Sequence, residues 1–281
     1  MDPDYGSEST WGKTIAPPSF AYAIDETSVA PGHEAYERHY QSVDWEWSRP
    51  FEIGDQITSS IELVEESYDA STDVILQTGQ ITFVSGSKAI LAKATVGVRR
   101  DRTPLLETEE RKEIRYDGDE LLKIEENILS EICRGSSPRF FEEITIGEDI
   151  GVVTKGPLSI MDIVAWSAGT IGAPDDNHQY SSGGLQIETA TGPQLTAWII
   201  HLITNWMGDD GFLKRLGATF HSLPSLGSTT TITGSVTDIL DDDAETLCEL
   251  SISCELQNNE LAAEATALVR LPTKEVSELA T

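Results

Sequence analysis

A chain of 281 residues with 39% apolar composition can bury two modest cores, and its 48 acidic against 19 basic residues leave a formal charge of −29. That surplus repels nucleic acid and anionic membrane, so neither is an expected partner; it fits an ordinary acidic surface or one solvated in concentrated salt. The acidic start Met1-Asp2-Pro3-Asp4 has no apolar run behind it, and the longest apolar stretch, Leu195 to Met207, is broken by Thr196, His201, Thr204 and Asn205. The pattern predicts a cytoplasmic chain without membrane insertion. Cys133, Cys248 and Cys254 have no Cys-x-x-Cys or Cys-x-x-His spacing, so packing thiols are expected rather than a metal site or a disulfide.

In chain order, a helix is predicted over Pro18 to Ile24. Strands follow at Val43 to Trp47, Gln56 to Val64, Val74 to Val84 and Ala89 to Arg99, separated by the turn signals Gly54-Asp55, Asp69-Ala70-Ser71 and Ser85-Gly86-Ser87. A charged stretch from Asp101 to Pro138 holds a short helix, Asp119 to Cys133, whose Leu121, Leu122, Ile124, Ile128, Leu129 and Ile132 form one apolar stripe that is expected to pack. Arg99, Arg100, Arg102, Arg111, Lys112 and Arg115 cluster at its start, interleaved with Glu107, Glu109, Glu110 and Glu113. That pattern predicts a solvated face of ion pairs, with a phosphate-bearing ligand as the alternative. The second half repeats the scheme, with a helix over Gly192 to Met207 and strands at Ala218 to Ser222, Thr229 to Ile239, Thr246 to Leu256 and Glu260 to Arg270.

The repetition extends to the residues. Ala92-Lys93-Ala94-Thr95-Val96-Gly97-Val98-Arg99 and Ala263-Glu264-Ala265-Thr266-Ala267-Leu268-Val269-Arg270, 171 residues apart, share five of eight positions. Pro50 and Pro224 lie 174 apart, and Pro18 and Pro193 lie 175 apart. A near-constant offset at separated landmarks predicts two copies of one α+β unit, each an antiparallel sheet wrapped around a central helix. The implied boundaries are 1–115, a structured linker at 116–138, and 139–281.

Candidate chemistry gathers in one loop of the second half, Gly169-Thr170-Ile171-Gly172-Ala173-Pro174-Asp175-Asp176-Asn177-His178-Gln179-Tyr180. A carboxylate and an imidazole together can hold and deprotonate a water. The nearby helix start at Gly192-Pro193 offers backbone N–H groups to a carbonyl oxygen gaining negative charge. The plain alternative is a turn, since Asp after Pro is ordinary turn chemistry. Likewise Gly192 can be a simple helix cap, and His201, on an apolar helix, is expected to be a hydrogen-bonded core residue. His33, His39 and His221 have no partner motif.

Taken together, Ile15-Ala16-Pro17-Pro18-Ser19-Phe20, Asp44-Trp45-Glu46-Trp47-Ser48-Arg49-Pro50 with Gly54-Asp55, Phe141-Glu142-Glu143-Ile144-Thr145-Ile146-Gly147-Glu148, Asp162-Ile163-Val164-Ala165-Trp166-Ser167-Ala168-Gly169 and Asn205-Trp206-Met207-Gly208-Asp209 resemble the MaoC-like acyl dehydratases. That family includes the (R)-specific enoyl-CoA hydratases, and the resemblance is to its tandem (double) hot-dog form. It implies a hydro-lyase acting on the 2,3-bond of an acyl-CoA or acyl-carrier thioester, with no metal and no cofactor beyond the thioester itself. It also implies a catalytic second half and a first half that shapes the acyl pocket.

The family's loop motif is Asp-x-Asn-Pro-x-His. Here Asp175-x-Asn177 follows its start, but His178 arrives two residues early and Pro174 lies ahead; ungapped alignment from Gly169 puts the Asp position on Thr170. The resemblance therefore assigns catalysis to His178 and Asp175, with Asp176 as the alternative carboxylate, and carbonyl polarisation to the N–H of Gly192. Asn177 and Trp198 are expected to contact substrate, and Thr191 stands where the family usually has a His. A homodimer is expected, or a heteromer with another hot-dog subunit. Two rivals remain: a hot-dog thioesterase, and a non-catalytic partner subunit.

Overall fold

The computed structural model describes residues 3–24, 30, 32–33, 36–86, 89–101, 114–170, 178–181, 184–187, 189–241 and 245–274. In the first half α1 (Pro3–Glu8), β1 (Ile15–Ala16), a 3-10 turn (Pro18–Phe20) and α2 (Ala21–Ile24) precede β2 (Glu37–Trp47), β3 (Phe51–Glu52), β4 (Ile57–Asp69), β5 (Val74–Ser85) and β6 (Ile90–Asp101). The linker helix α3 (Gly118–Leu129) leads to β7 (Asp149–Lys155), α4 (Ile160–Gly169), β8 (His178–Ser181), β9 (Gly184–Ile187) and α5 (Gly192–Met207). The chain then closes with β10 (Phe212–Phe220), β11 (Thr230–Asp241), β12 (Thr246–Leu256) and β13 (Leu261–Arg270).

Among the described residues nine strands form one antiparallel sheet in the order β4-β5-β6-β2-β10-β13-β12-β11-β7. The order 4-5-6-2 is mirrored by 11-12-13-10, and the halves join where β2 pairs β10, from Arg215↔Glu46 to Thr219↔Ser42. The repeat read from the sequence sits on the equivalent strands β6 and β13. Its physical content is the inner face: Ala92, Ala94 and Val98, like Ala263, Ala265 and Val269, are buried. The small Ala92 and Ala94 lie opposite Trp47 and Trp45 in the sheet and leave room for those indoles.

The halves fill their concave faces differently. In the second, the 16-residue α5 is buried nearly all round, through Leu195, Ile199, Ile200, Leu202, Ile203 and Trp206. The linker closes its end: Arg134 Nε donates to Trp206 O at 3.1 Å, a cation on the carbonyl end of the helix dipole. In the first, the helix predicted at Pro18 to Ile24 forms as a 3-10 turn followed by four α-helical residues. Aromatic rings pack in this half. Trp45 stacks on Trp47 at 5.2 Å and on Phe83 at 5.8 Å, and its Nε1 donates to Tyr22 Oη at 2.8 Å.

Some expectations change. The linker helix forms, held by a capping box between Asp117 and Glu120, but it ends at Leu129 and its stripe does not pack: Leu121, Leu122, Ile128, Leu129 and Ile132 are exposed. Just beyond the helix, Glu131 ties the chain to His201 and Asn205 of α5, each at 2.7 Å. Cys133 is exposed rather than packed, whereas Cys248 and Cys254 are buried on β12, where burial pushes each thiol up to about 12. In the basic cluster Arg99 pairs with Asp101 at the surface, but Arg100 is buried, giving Nε to Gln77 Oε1 at 2.7 Å and NH2 to Ala30 O at 2.9 Å. Arg102, Arg111 and Lys112 lie outside the described residues. Because Arg100→Leu would strand both acceptors, it should lower stability by about 3 kcal/mol. A urea midpoint unchanged from wild type would show that Arg100 does not tie the first half together. No helix of the described residues is long and apolar enough to cross a membrane.

Candidate active site

The loop with the candidate chemistry hangs between two helices whose starts are fixed by side-chain caps. At α4, Ser159 Oγ accepts from Asp162 N at 3.2 Å and Asp162 Oδ2 accepts from Ser159 N at 2.8 Å, so the first turn is satisfied from both sides. Its Ile163 is buried against Leu158 and Ala190. Asp175, Asp176 and Asn177 lie outside the described residues. The backbone of His178 opens β8 and pairs with Ile187 of β9, a hairpin the turn-rich sequence does not announce. The chain is then pinned beside the sheet by a bridge between Thr189 and Ser225 and by Ala190 N donating to Pro224 O at 2.8 Å.

It enters α5 through Thr191, whose Oγ1 accepts from Gln194 N at 2.9 Å. Gly192, the first helical residue, is buried. Among the described residues nothing accepts from its N–H, as expected for the first turn of a helix. Its glycine is required by space: a Cβ there would lie 2.4 Å from Cδ1 of Tyr40, which β2 brings across from the first half. Tyr40 is itself buried and meets Phe220 edge-on at 5.6 Å. The helix start is thus a junction of the two halves. Trp198, two turns on, is partly buried against both the main core and the Leu158–Ile163–Ala190 cluster of α4.

Sequence reasoning missed Tyr40 and Gln194. Nothing in the sequence relates Tyr40 to Gly192, because only strand pairing brings them together. Gln194 had a signal: Thr191-x-x-Gln194 is a capping-box pattern, in which the Gln side chain returns to the cap backbone. Only the Thr half of that box forms, and Gln194 Oε1 is buried with no hydrogen-bond partner among the described residues.

His201 is hydrogen-bonded as expected, but it is half-buried at the edge of α5 among charged groups rather than in the core. Lys155 Nζ lies 2.8 Å from its Nδ1, and Glu131 Oε1 lies 2.7 Å from its Nε2. Asn205 Nδ2 donates to the same Glu131 oxygen at 2.7 Å. With Nδ1 accepting from the ammonium and Nε2–H donating to the carboxylate, the ring is neutral. Burial first, then the Lys155 charge, hold His201 below the ordinary histidine value against the pull of Glu131; burial likewise lowers Lys155. Since the folded value lies under the unfolded one of about 6.5, the unfolded chain binds more protons in that window. The stability from this network is therefore present above about pH 6.5 and is lost as pH falls below it. Melting curves should show the gap between wild type and His201→Gln narrowing from pH 7 to pH 5.5, with turnover unchanged; a constant gap would contradict the neutral ring. His33, His39 and His221 each face a surface carboxylate, Glu66, Asp101 and Glu264 respectively.

A small apolar cavity of about 30 Å³, lined by Trp11, Trp47, Phe51, Met207 and Phe212 among others, lies at the opposite end of α5 from Gly192. No group of three or more metal-ligating side chains occurs among the described residues.

No family model matches the sequence, and no curated protein matches it. Solved structures do. One is a MaoC-like dehydratase, 16% identical, covering 97% of this chain and 89% of its own, with a TM-score of 0.71. A Mycobacterium tuberculosis protein described as having a double hot-dog fold is 10% identical, covering 96% of this chain and 86% of its own, with a TM-score of 0.65. A Lactobacillus plantarum protein named as an oleoyl thioesterase is 12% identical, covering 85% and 78%, with a TM-score of 0.50. With the mirrored strand order and the helix-in-sheet second half, the conclusion is that this chain has the double hot-dog fold found in MaoC-like dehydratases.

Proposed function

We propose that the chain is a hydro-lyase that adds water across the 2,3-bond of a 2-enoyl thioester and removes it from the 3-hydroxyacyl form. The observation that carries this reading is the start of α5. There a buried glycine N–H with no acceptor among the described residues sits at the positive end of a 16-residue helix, walled by the other half through Tyr40. Such an N–H, fixed before the substrate arrives, stabilises the enolate-like oxygen that builds up on the thioester carbonyl during addition. His178 with Asp175, or Asp176 in its place, holds the water and moves its proton. The fold of a MaoC-like dehydratase over nearly the whole chain supports the same chemistry. An acyl-CoA or acyl-carrier thioester is the substrate class, and the thioester itself is the electron sink.

A thioesterase is the second reading, favoured by the fold similarity to the oleoyl thioesterase. There the same N–H would serve a tetrahedral oxyanion and the water would attack the carbonyl carbon. Incubation with crotonyl-CoA and with a bulkier enoyl-CoA separates the two. Loss of the enoyl chromophore without free thiol supports the hydro-lyase, and thiol release without hydroxyacyl product supports the thioesterase. Neither product with either ester would point to a partner subunit.

A further inference from the structure

Gln194 holds an unspent hydrogen-bond acceptor at the helix start. The residue is 3% exposed, its backbone N–H is taken by Thr191 Oγ1, and its side-chain Oε1 has no partner among the described residues. Buried polar atoms are rarely left so, since the group has given up its water for nothing in return. The local sequence offers it a partner through the capping box, and the side chain does not take it. Two other buried side-chain oxygens without a partner, Thr154 and Thr230 Oγ1, belong to the neighbouring strands β7 and β11 of the sheet. Gln194 alone of these stands on the first turn of α5. A second unspent group, the indole Nε1 of Trp166, lies on α4, the helix that runs into the candidate loop.

The direction of the side chain follows from helix geometry. Cα–Cβ bonds tilt toward the helix N-terminus, and long side chains lie over the preceding turn. The carboxamide of Gln194 therefore folds back toward Ala190 and Thr191, the residues that lead into the helix start at Gly192, whose Cα lies about 3 Å nearer the N-terminus along the axis. A thioester with its carbonyl oxygen on the Gly192 N–H carries C3 two bonds from the carbonyl carbon, which matches that reach. A group there that donates a hydrogen bond is what a lone acceptor requires. The amides of a pantetheine arm lie on the other side of the sulfur and lead to solvent, whereas Gln194 is enclosed, so the acyl side is the one it serves.

Resting on the hydro-lyase reading, we infer that Gln194 is a substrate-binding residue whose Oε1 accepts a hydrogen bond from the C3 hydroxyl of a 3-hydroxyacyl thioester, and that it makes the site prefer hydroxylated over saturated acyl chains.

The test is calorimetric titration of wild type and Gln194→Met with each enantiomer of 3-hydroxybutyryl-CoA and with butyryl-CoA, which lacks the hydroxyl. Wild type should prefer one hydroxyacyl ester by about 10–100-fold, the worth of one well-placed hydrogen bond. In Gln194→Met the preference should vanish while affinity for butyryl-CoA holds. Methionine has the same length and helix preference without the buried oxygen, so the variant should also melt about 2–4 °C higher. A preference retained in Gln194→Met, no preference in wild type, or a lower melting temperature for the variant each overturns the inference. If crotonyl-CoA is hydrated and any of these occurs, only the role of Gln194 fails. If wild type neither hydrates crotonyl-CoA nor binds any of the esters, the hydro-lyase reading fails and takes this inference with it.

Discussion

His178→Ala should lower turnover on an enoyl-CoA by roughly 10²–10⁴-fold, the usual worth of a positioned acid or base, and leave the melting temperature near that of wild type. The expectation comes from the loop chemistry: imidazole is the one group there whose proton is exchanged near neutral pH without a large shift. Its backbone opens β8, close in sequence to the Thr191 cap and followed by the Thr189 and Ala190 contacts that fix the approach to α5. Asp175→Asn and Asp176→Asn, made side by side, should give one large defect and one small one, because a single water has room for one carboxylate partner. The same three variants discriminate among the readings. If all leave hydration intact, the loop is structural and the acid–base groups lie elsewhere. If they abolish thiol release from an ester that the wild type hydrolyses without hydrating, the water held by the loop attacks the carbonyl instead.

How much of this was legible beforehand follows from the range of the interactions involved. The strands of both halves, the duplication and the central helix of the second half were readable, because alternation and helical periodicity are local and the repeat keeps its inward-facing alanines. The short helix of the first half, Pro18 to Ile24, was legible as well, and forms as a 3-10 turn running into an α-helical turn whose Tyr22 packs edge-on against Trp45. The strand β7 was not read at all, and the stripe of α3 was misjudged because apolar residues announce burial only when something covers them. At the candidate site, the place of Gly192 at a helix start was readable. Tyr40 could not be, since it is defined by what packs against it from far away in the chain, whereas Gln194 carried a capping-box signal that its side chain does not follow. Asp175, Asp176 and Asn177 remain readings of the sequence, lying outside the described residues.

Gly192→Ala tests the junction where sequence and packing meet. The substitution keeps the backbone N–H, so any loss must come from displacing it. The new Cβ would stand 2.4 Å from Cδ1, 2.9 Å from Cγ and 3.0 Å from Cβ of Tyr40, and a ring held edge-on against Phe220 inside the sheet cannot swing aside freely. Overpacking of this kind costs about 1–3 kcal/mol, and a helix start pushed by even 1 Å should cost turnover about 10²-fold. Tyr40→Phe keeps the ring and should not relieve the clash. Tyr40→Ala removes it, so Gly192→Ala/Tyr40→Ala should be less destabilised than the sum of the single changes by about 1–3 kcal/mol, measured by urea denaturation. If the two changes simply add, Tyr40 is not what requires glycine at 192, and the close approach of the two halves at the helix start would have to be given up as the feature that positions the N–H.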